Sequence, residues 1–341
     1  MEGVSVIIVC HNGAKRLATT LSHLTAQESA RIPWELLIID NASTDETAEV
    51  ARSCWRNAPA PLRVVNESRL GVRYARERGL NEAKYTVLGF VDDDNWVAPD
   101  WVRTAYEIIS SDSRLAAVGS VREPVCELPP PSWFQNFHSL YAVLTERDLE
   151  HISQEPTWLP TAGLCIRKAA WKELVQNGFH FLLSGSVGMK PGGGEDTELT
   201  RALHLSGWKL RIDTRLRLQH FMPGQRLRWK YLRRLRRSYG ASHVPLDAYS
   251  AYSLSLRPGF RCWISERWWY QFGKCLGKMA SHPSAAVTAF LSNGEGRKEI
   301  AEIENQFGRA VGLLQIGKRY GTLRCEVRNA AWRKQPNHFD K

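Results

Sequence analysis

Two stretches, Val4–Cys10 and residues 36–39 (VSVIIVC and LLII), are almost unbroken runs of β-branched and aliphatic residues. A half-exposed strand alternates apolar with polar residues, so runs of this kind fit strands covered on both faces. Between them Leu17, Leu21 and Leu24 recur at helical spacing, predicting a helix over 14–26. The order then repeats, with a helix expected over 42–54 capped by Ser43 or Thr44, a short strand over 62–65, a helix over 72–83, a strand over 85–91 and a helix from 99 to 109. Such alternation restricts the chain to an α/β fold, a mostly parallel sheet with helices on both faces. Ligands of these sheets sit beyond the carboxyl ends of the strands. His11-Asn12-Gly13, Asp40-Asn41-Ala42-Ser43 and Asp92-Asp93-Asp94 all fall at such ends, so three distant polar clusters are expected at one edge.

Asp92, Asp93 and Asp94 are consecutive carboxylates, which repel unless a cation lies between them. A hard divalent ion takes one or two protein carboxylates and completes its shell with phosphate oxygens and water, so a metal-diphosphate site is one reading. A helix N-cap is the other. From 124 to 160 the periodicity weakens; Pro129, Pro130 and Pro131 precede the aromatic residues Trp133, Phe134 and Phe137. A long connection covering a site and a packed surface excursion both fit that pattern. Gly192, Gly193 and Gly194 then lead through Glu195-Asp196 into a helix expected over 197–206, followed by a strand over 209–220.

The net charge of +11 is unevenly spread: residues 1–215 hold 23 Lys+Arg against 27 Asp+Glu, and residues 216–341 hold 23 against 8. The expected organisation is a body over 1–222, with halves 1–123 and 124–222, and a basic helical extension over 223–341 with helices near 264–279 and 299–314. Residues 226–237 carry seven cations and no acid, while Leu227, Tyr231, Leu235 and Tyr239 recur every four residues. That pattern is an amphipathic helix with a cationic face. An anionic membrane surface is its first expected partner, a substrate phosphate its second and mere solvation an alternative; nucleic acid is not expected. Trp263, Trp268, Trp269 and Tyr270 add aromatics suited to a lipid interface. The seven cysteines are scattered without a CxxC pair, which fits reduced thiols. With no run of about 18 apolar residues and no charged leader before Val4, the expectation is a cytoplasmic protein, peripheral on the inner face of a membrane.

The segments VSVIIVCHNG, LLIIDNASTDET, NESRLGVRYARERGL, LGFVDDDNW and GGGEDTELTRALHLSGWKL, in this order over residues 4 to about 222, resemble the family 2 inverting glycosyltransferases of the GT-A fold. The resemblance implies transfer of a sugar from a UDP-, GDP- or dTDP-sugar to the hydroxyl of a glycan or lipid-linked acceptor, with Mn²⁺ or Mg²⁺, in cell-surface polysaccharide or glycolipid assembly. By the same resemblance Asp40 looks toward the nucleobase, Val9 and His11 contact it from the end of the first strand, and Arg76 in ARERG holds the nucleotide. Cys10-His11-Asn12 stands where relatives carry Thr-Tyr-Asn, which removes the tyrosine's stacking. In the DxD element Asp94 binds the metal, Asp92 approaches the ribose or the metal's water shell, and Asp93 takes the variable middle position. His220 lies where relatives bring a histidine to the metal or diphosphate.

Glu195-Asp196 matches the family's ED pair. Inverting transfer needs one carboxylate to take the acceptor's proton, and a metal to offset charge on the departing diphosphate. Asp196 is the expected base, Glu195 orients its loop, and Arg201 is expected to pair with either. Local alternatives stay open: an Asx turn at Asp40, a surface ion pair at Arg76, an acidic helix start at Glu195-Asp196 and a structural His220. A sugar nucleotidyltransferase would need a glycine-rich basic loop after the first strand, of which His11-Asn12-Gly13-Ala14-Lys15 is a poor version, and the GxGxxG of dinucleotide oxidoreductases is absent. A non-catalytic sugar-nucleotide or membrane-binding module is the remaining alternative.

Overall fold

The computed structural model describes residues 1–153, 155–183, 193–250, 260–291 and 294–334. The chain opens with β1 (Val4–Cys10), α1 (Ala14–Thr25), β2 (Trp34–Asp40), α2 (Thr47–Cys54), β3 (Leu62–Asn66), α3 (Val72–Glu82) and β4 (Val87–Phe90). It continues through β5 (Asn95–Val97), α4 (Trp101–Ser111), β6 (Leu115–Cys126), β7 (Cys165–Arg167), α5 (Lys168–Gln176), α6 (Glu195–Leu205) and β8 (Lys209–Met222). Six helices follow among the described residues: α7 (Trp229–Leu246), α8 (Phe260–Ser265), α9 (Trp268–Ala280), α10 (Pro283–Leu291), α11 (Lys298–Ile316) and α12 (Arg319–Arg328). The eight strands form one sheet in the order β3-β2-β1-β4-β7-β6-β8-β5, with β7 and β5 antiparallel to their neighbours.

The apolar runs are buried on both faces, as their composition requires. In β1, Val4, Val6 and Ile8 pack with Leu17, Leu21 and Leu24 of α1 and Trp101 of α4, whereas Ile7 packs on the other side with Leu37, Ile39, Ala75 and Leu80. Neighbouring residues thus feed two separate cores, each fully buried aliphatic contributing about 1.5–3 kcal/mol. The register Cys10↔Asp40 and Ile7↔Phe90 brings the carboxyl ends of β1, β2 and β4 level. The polar clusters that follow those ends therefore meet at one edge.

Helix α2 begins at Thr47 rather than residue 42. Ala42 has φ +53°, a left-handed conformation incompatible with a helix. Ser43 and Thr44 do not cap α2: Ser43 Oγ accepts the Asn12 N–H at 3.0 Å, and Thr44 N–H donates to Asn12 Oδ1 at 2.8 Å. The N-cap is Glu46, and Asp45 before it accepts the Thr47 N–H at 3.1 Å and the Ala14 N–H of α1 at 3.2 Å.

The aromatic segment after Pro131 is packed, and Tyr141 beyond it also borders a cavity at the sheet edge. Trp133, Phe134, Phe137 and Tyr141 are buried with Leu227, Trp229, Leu232 and Leu235 and with Ile300 and Ile303 of α11. The change from sheet to helices near residue 222 is therefore continuous in packing.

Helix α7 is held against α11 at close range. A Cβ on Gly308 would fall 1.9 Å from the Arg237 carbonyl oxygen, and one on Gly240 2.1 Å from that of Asn305, so the two backbones touch only because both residues are glycine. Three cations of α7 pair with α11: Arg233 with Glu304 at 2.6 Å, Arg237, itself exposed, with the same carboxylate, and Arg236 with Glu302 at 3.0 Å. Arg228, Lys230 and Arg234 are exposed.

Candidate active site

Beyond the carboxyl ends of β1 and β4 lies a cavity of about 330 Å³, lined by Val9, Asp92, Asp93, Asp94 and His220 and, from the C-terminal side, by Arg226, Tyr231 and Tyr239. The chain turns tightly after β4, with the Asn95 N–H donating to the Asp92 carbonyl at 3.0 Å, and the three carboxylates part. Asp93 is engaged on both oxygens beneath α1: Arg16 donates through Nη2 at 2.6 Å and Nε at 3.3 Å, and the Cys10 thiol donates at 3.3 Å. It borders the cavity as a neutralised, structural group.

Asp94 is buried and faces two basic side chains. His220 Nε2 lies 3.4 Å from Oδ1 and Arg226 Nη1 lies 3.0 Å from Oδ2. Burial alone would raise its pKa, but His220 and Arg226 outweigh it and hold the carboxyl well below the usual carboxylate range. Asp92 behaves oppositely, burial pushing its carboxyl up to about 6 against the pull of Arg76. His220 is placed by the antiparallel pairing Asn95↔His220, and its Nδ1 is buried with no hydrogen-bond partner among the described residues.

At the ends of β1 and β2, His11 Nδ1 donates to the Asn41 carbonyl at 2.8 Å, which fixes the ring, and one oxygen of Asp40 accepts the Ser43 N–H at 3.2 Å in an Asx-type turn. The neighbouring Asn41 was not singled out from sequence, yet it is buried and clamps the loop before α3: Nδ2 donates to the Arg69 carbonyl at 2.8 Å and Oδ1 accepts the Gly71 N–H at 2.8 Å. This anchors the start of α3 and so positions Arg76.

Arg76 is not a surface ion pair. Its guanidinium is bonded to Glu195, and both side chains are buried, so the pair ties α3 to the first turn of α6. Glu195 Oε2 has no hydrogen-bond partner among the described residues. Asp196, half-buried, accepts the Thr197 N–H at 2.7 Å and the Thr161 N–H at 3.3 Å. It does not line the cavity itself, but its charge acts on Arg76, Arg122 and Tyr239 around it. Arg201 pairs with neither carboxylate. It lies five and six positions beyond them, not three or four, and donates to the Leu246 carbonyl at 3.2 Å. Gly193 and Gly194 precede α6, Gly194 with φ +100°; Gly192 and most of the loop before it lie outside the described residues.

Arg226 is the site residue that sequence reasoning assigned elsewhere. It was counted among the cations of the basic helix, but it precedes α7, in the turn after Pro223-Gly224, and points onto Asp94. The adjacent Pro-Gly was the available signal for a turn there.

Glu198 was also missed. Fully buried one turn into α6, it accepts the N–H groups of Leu182 at 2.6 Å and Leu183 at 3.0 Å and the Tyr249 hydroxyl at 2.8 Å. Burial pushes its pKa from 4.5 up to about 7 against those bonds. Between these values the folded chain keeps a proton that the unfolded chain has lost, so this group's contribution to stability falls as pH rises through the window and levels off above it. Glu198→Gln is expected to flatten the decline of unfolding free energy between pH 4.5 and 7 in urea titrations; identical slopes for both proteins would show that Glu198 does not titrate in this way.

Among the described residues no three Asp, Glu, His or Cys side chains converge as a ready-made metal site. Asp94, Asp92 and His220 nevertheless suit a hard ion that takes few protein ligands and shares the oxygens of a diphosphate. No helix among the described residues is long and apolar enough to cross a membrane.

The profile of Glycosyl transferase family 2 matches residues 5–174. Succinoglycan biosynthesis protein ExoM of Rhizobium meliloti (strain 1021) is 25% identical over 251 residues, covering 72% of this chain and 76% of that protein. Chondroitin synthase of Escherichia coli is 28% identical over 131 residues, 35% of this chain but only 17% of its own length. In three dimensions the chain is similar to mannosyltransferase PcManGT from Pyrobaculum calidifontis, solved in complex with GDP-Man and Mn²⁺, with a TM-score of 0.57 over 97% of this chain and 86% of that one at 16% identity. The matched segment carries β1, β2 and β4 with their terminal carboxylates, and the sheet completed around it has the GT-A fold; through residues 5–174 the chain belongs to glycosyl transferase family 2.

Proposed function

We propose that the chain is an inverting, metal-assisted glycosyltransferase that moves a sugar from a UDP-, GDP- or dTDP-sugar to an acceptor hydroxyl. The observation that carries this reading is the cavity in which buried Asp94 meets His220 and Arg226, next to the Arg76–Glu195 pair that leads to Asp196. A leaving diphosphate needs a cation, and Arg226 supplies one at the cavity wall beside His220. Mn²⁺ or Mg²⁺, held by Asp94 with Asp92 and His220 near, would offset further charge on that group. The acceptor oxygen attacks the anomeric carbon as the bond to the diphosphate oxygen breaks; the electron pair leaves with the diphosphate, and the acceptor's proton passes to an Asp196 oxygen. No covalent glycosyl-enzyme is needed. Val9, His11 and Asp40 border the nucleoside end in this reading.

Residues 1–222 would form the transferase body and 223–341 an extension that supplies Arg226, Tyr231 and Tyr239 to the site. A glycan or lipid-linked acceptor in cell-surface polysaccharide or glycolipid assembly, met by a cytoplasmic enzyme at an anionic membrane surface, completes the proposal. The similarity to ExoM, named for succinoglycan biosynthesis, supports that setting.

Thermal unfolding with UDP, GDP, dTDP and CMP, each with and without Mn²⁺, tests the donor assignment. One diphosphate is expected to stabilise the protein, by about 2.7 kcal/mol at a hundredfold excess over Kd. The shift should require Mn²⁺, vanish in Asp94→Ala and shrink in Arg226→Ala. No shift with any nucleotide would favour a non-catalytic module.

A further inference from the structure

We propose that Tyr239, with Tyr231 beside it, seats the sugar ring that the donor carries, so that the C-terminal extension completes the pocket for the transferred group. This rests on the reading of the cavity as a donor site and deepens it by naming what the apolar wall holds. The cavity has two chemically different sides. Asp92, Asp94, His220 and Arg226 bring charge and polar atoms, whereas Leu140, Tyr141, Ala142, Tyr231, Leu235 and Tyr239 bring aliphatic and aromatic carbon. Tyr231, Leu235 and Tyr239 stand at i, i+4 and i+8, so a single stripe of α7 faces the cavity. In the donor reading the nucleoside lies at the ends of β1 and β2 and the diphosphate at Asp94 and Arg226. The next group along a nucleotide-sugar is a pyranose, a ring with hydroxyls at its rim and C–H bonds across its faces. Small-ligand pockets set a few polar groups against apolar walls in this way, and an aromatic side chain is the flat apolar partner for such a face.

Tyr239 connects the two ends of the reaction. It lines the cavity with Asp94 and Arg226, and a Cβ built on Gly193, just before α6, would lie 3.8 Å from its Cε1. Burial raises the pKa of its hydroxyl, with Asp196, Tyr231 and Glu195 adding to the rise and Arg226 opposing, so the ring is within reach of the base side and the leaving-group side alike. The hydroxyl keeps its proton and donates it to the Leu140 carbonyl at 2.9 Å. With that donor committed inside the protein, the ring carbons are what Tyr239 offers to a ligand. The ring is held by this bond and by His243, stacked on it at 5.6 Å between centroids and 11° between planes. Its depth is set at the next residue, Gly240, which lets α7 touch the backbone of α11. Tyr231 is held in the same manner, stacked on Tyr141 at 6.0 Å. A wall fixed in advance binds a ring without having to order its own side chains. An acceptor sugar would enter from the side of Asp196, which does not line the cavity, so the ring inside it is the donor's.

Isothermal titration of the full chain in Mn²⁺ tests this, with UDP, GDP and dTDP set beside UDP-glucose, UDP-galactose, UDP-N-acetylglucosamine, GDP-mannose and dTDP-glucose. Tyr239→Leu should weaken the nucleotide-sugar that wild type binds by at least about tenfold, and its diphosphate by less than about twofold. Tyr239→Phe keeps the ring, loses the bond to Leu140 and should recover most of the affinity for the nucleotide-sugar. Equal losses for nucleotide-sugar and diphosphate would make Tyr239 a support of the diphosphate end and overturn the proposal. Unchanged nucleotide-sugar affinity in Tyr239→Leu would leave the wall to the acceptor, and Tyr239→Phe as weak as Tyr239→Leu would assign the effect to the hydrogen bond; either overturns it. Should Tyr239→Leu melt below the working temperature, saturation-transfer NMR on wild type decides. Irradiating the aromatic protons of the protein should saturate the C–H protons of the bound sugar, and saturation confined to the nucleoside would overturn the proposal. So would a wild type that binds a diphosphate and none of its sugars. Wild type that binds no diphosphate would remove the donor-site reading itself.

Discussion

Asp196→Asn is expected to lower kcat by two to four orders of magnitude, about 2.7–5.5 kcal/mol of transition-state stabilisation, while leaving nucleotide affinity nearly unchanged. The substitution keeps the shape of the side chain and one acceptor oxygen. The Thr197 N–H lies closer than the Thr161 N–H, 2.7 Å against 3.3 Å, so the amide nitrogen should settle toward Thr161. The fold then loses one weak hydrogen bond, about 0.5–1.5 kcal/mol. Donor binding should survive because Asp196 does not line the cavity at Asp94. Single-turnover kinetics with the cognate donor, set beside nucleotide-induced thermal shifts, separate the two effects. Near-normal turnover would remove Asp196 from the role of base, whereas loss of both turnover and nucleotide binding would give it a structural one.

Arg76→Met should cost about 3–5 kcal/mol of stability, since it leaves Glu195 charged and buried without its partner. Total stability of a domain is about 5–15 kcal/mol, so the loss should be evident in urea unfolding without any ligand. Burial already raises the Glu195 pKa, with Arg76 opposing. Removing Arg76 therefore raises it further, and the variant should be relatively weaker at high pH, where holding the charge is forced, than near pH 5. Arg76→Met/Glu195→Gln should recover much of the loss because no buried charge remains. A cost below about 1 kcal/mol, the range of exposed pairs, would mean that Arg76 serves the nucleotide without holding α3 to α6.

Long, uniformly apolar strands leave a clear trace in sequence, which is why β1 matches its expected bounds and β2 is found within three residues. The three-residue strands β5 and β7 leave none, because they are shorter than any period that could reveal them. The order of motifs singled out Asp94, Asp196 and His220, and the parallel register explains how distant strand ends meet. The partners of those residues were not singled out. Arg76 reaches Glu195 across 119 positions, and Arg233 reaches Glu304 across 71.

The sequence by itself determined the α/β architecture, the edge of the sheet that carries the polar clusters and the acidic residues at it, because burial pattern and strand order are local properties. Only the tertiary structure decided which charge neutralises which. It turned Arg226 onto Asp94, gave three cations of α7 to Glu302 and Glu304, sent Arg201 to the Leu246 carbonyl and bound Asp93 to Arg16. A charged side chain at a buried position takes whichever partner the packing of distant helices and strands brings within about 3–4 Å, and periodicity along the chain carries no record of that distance.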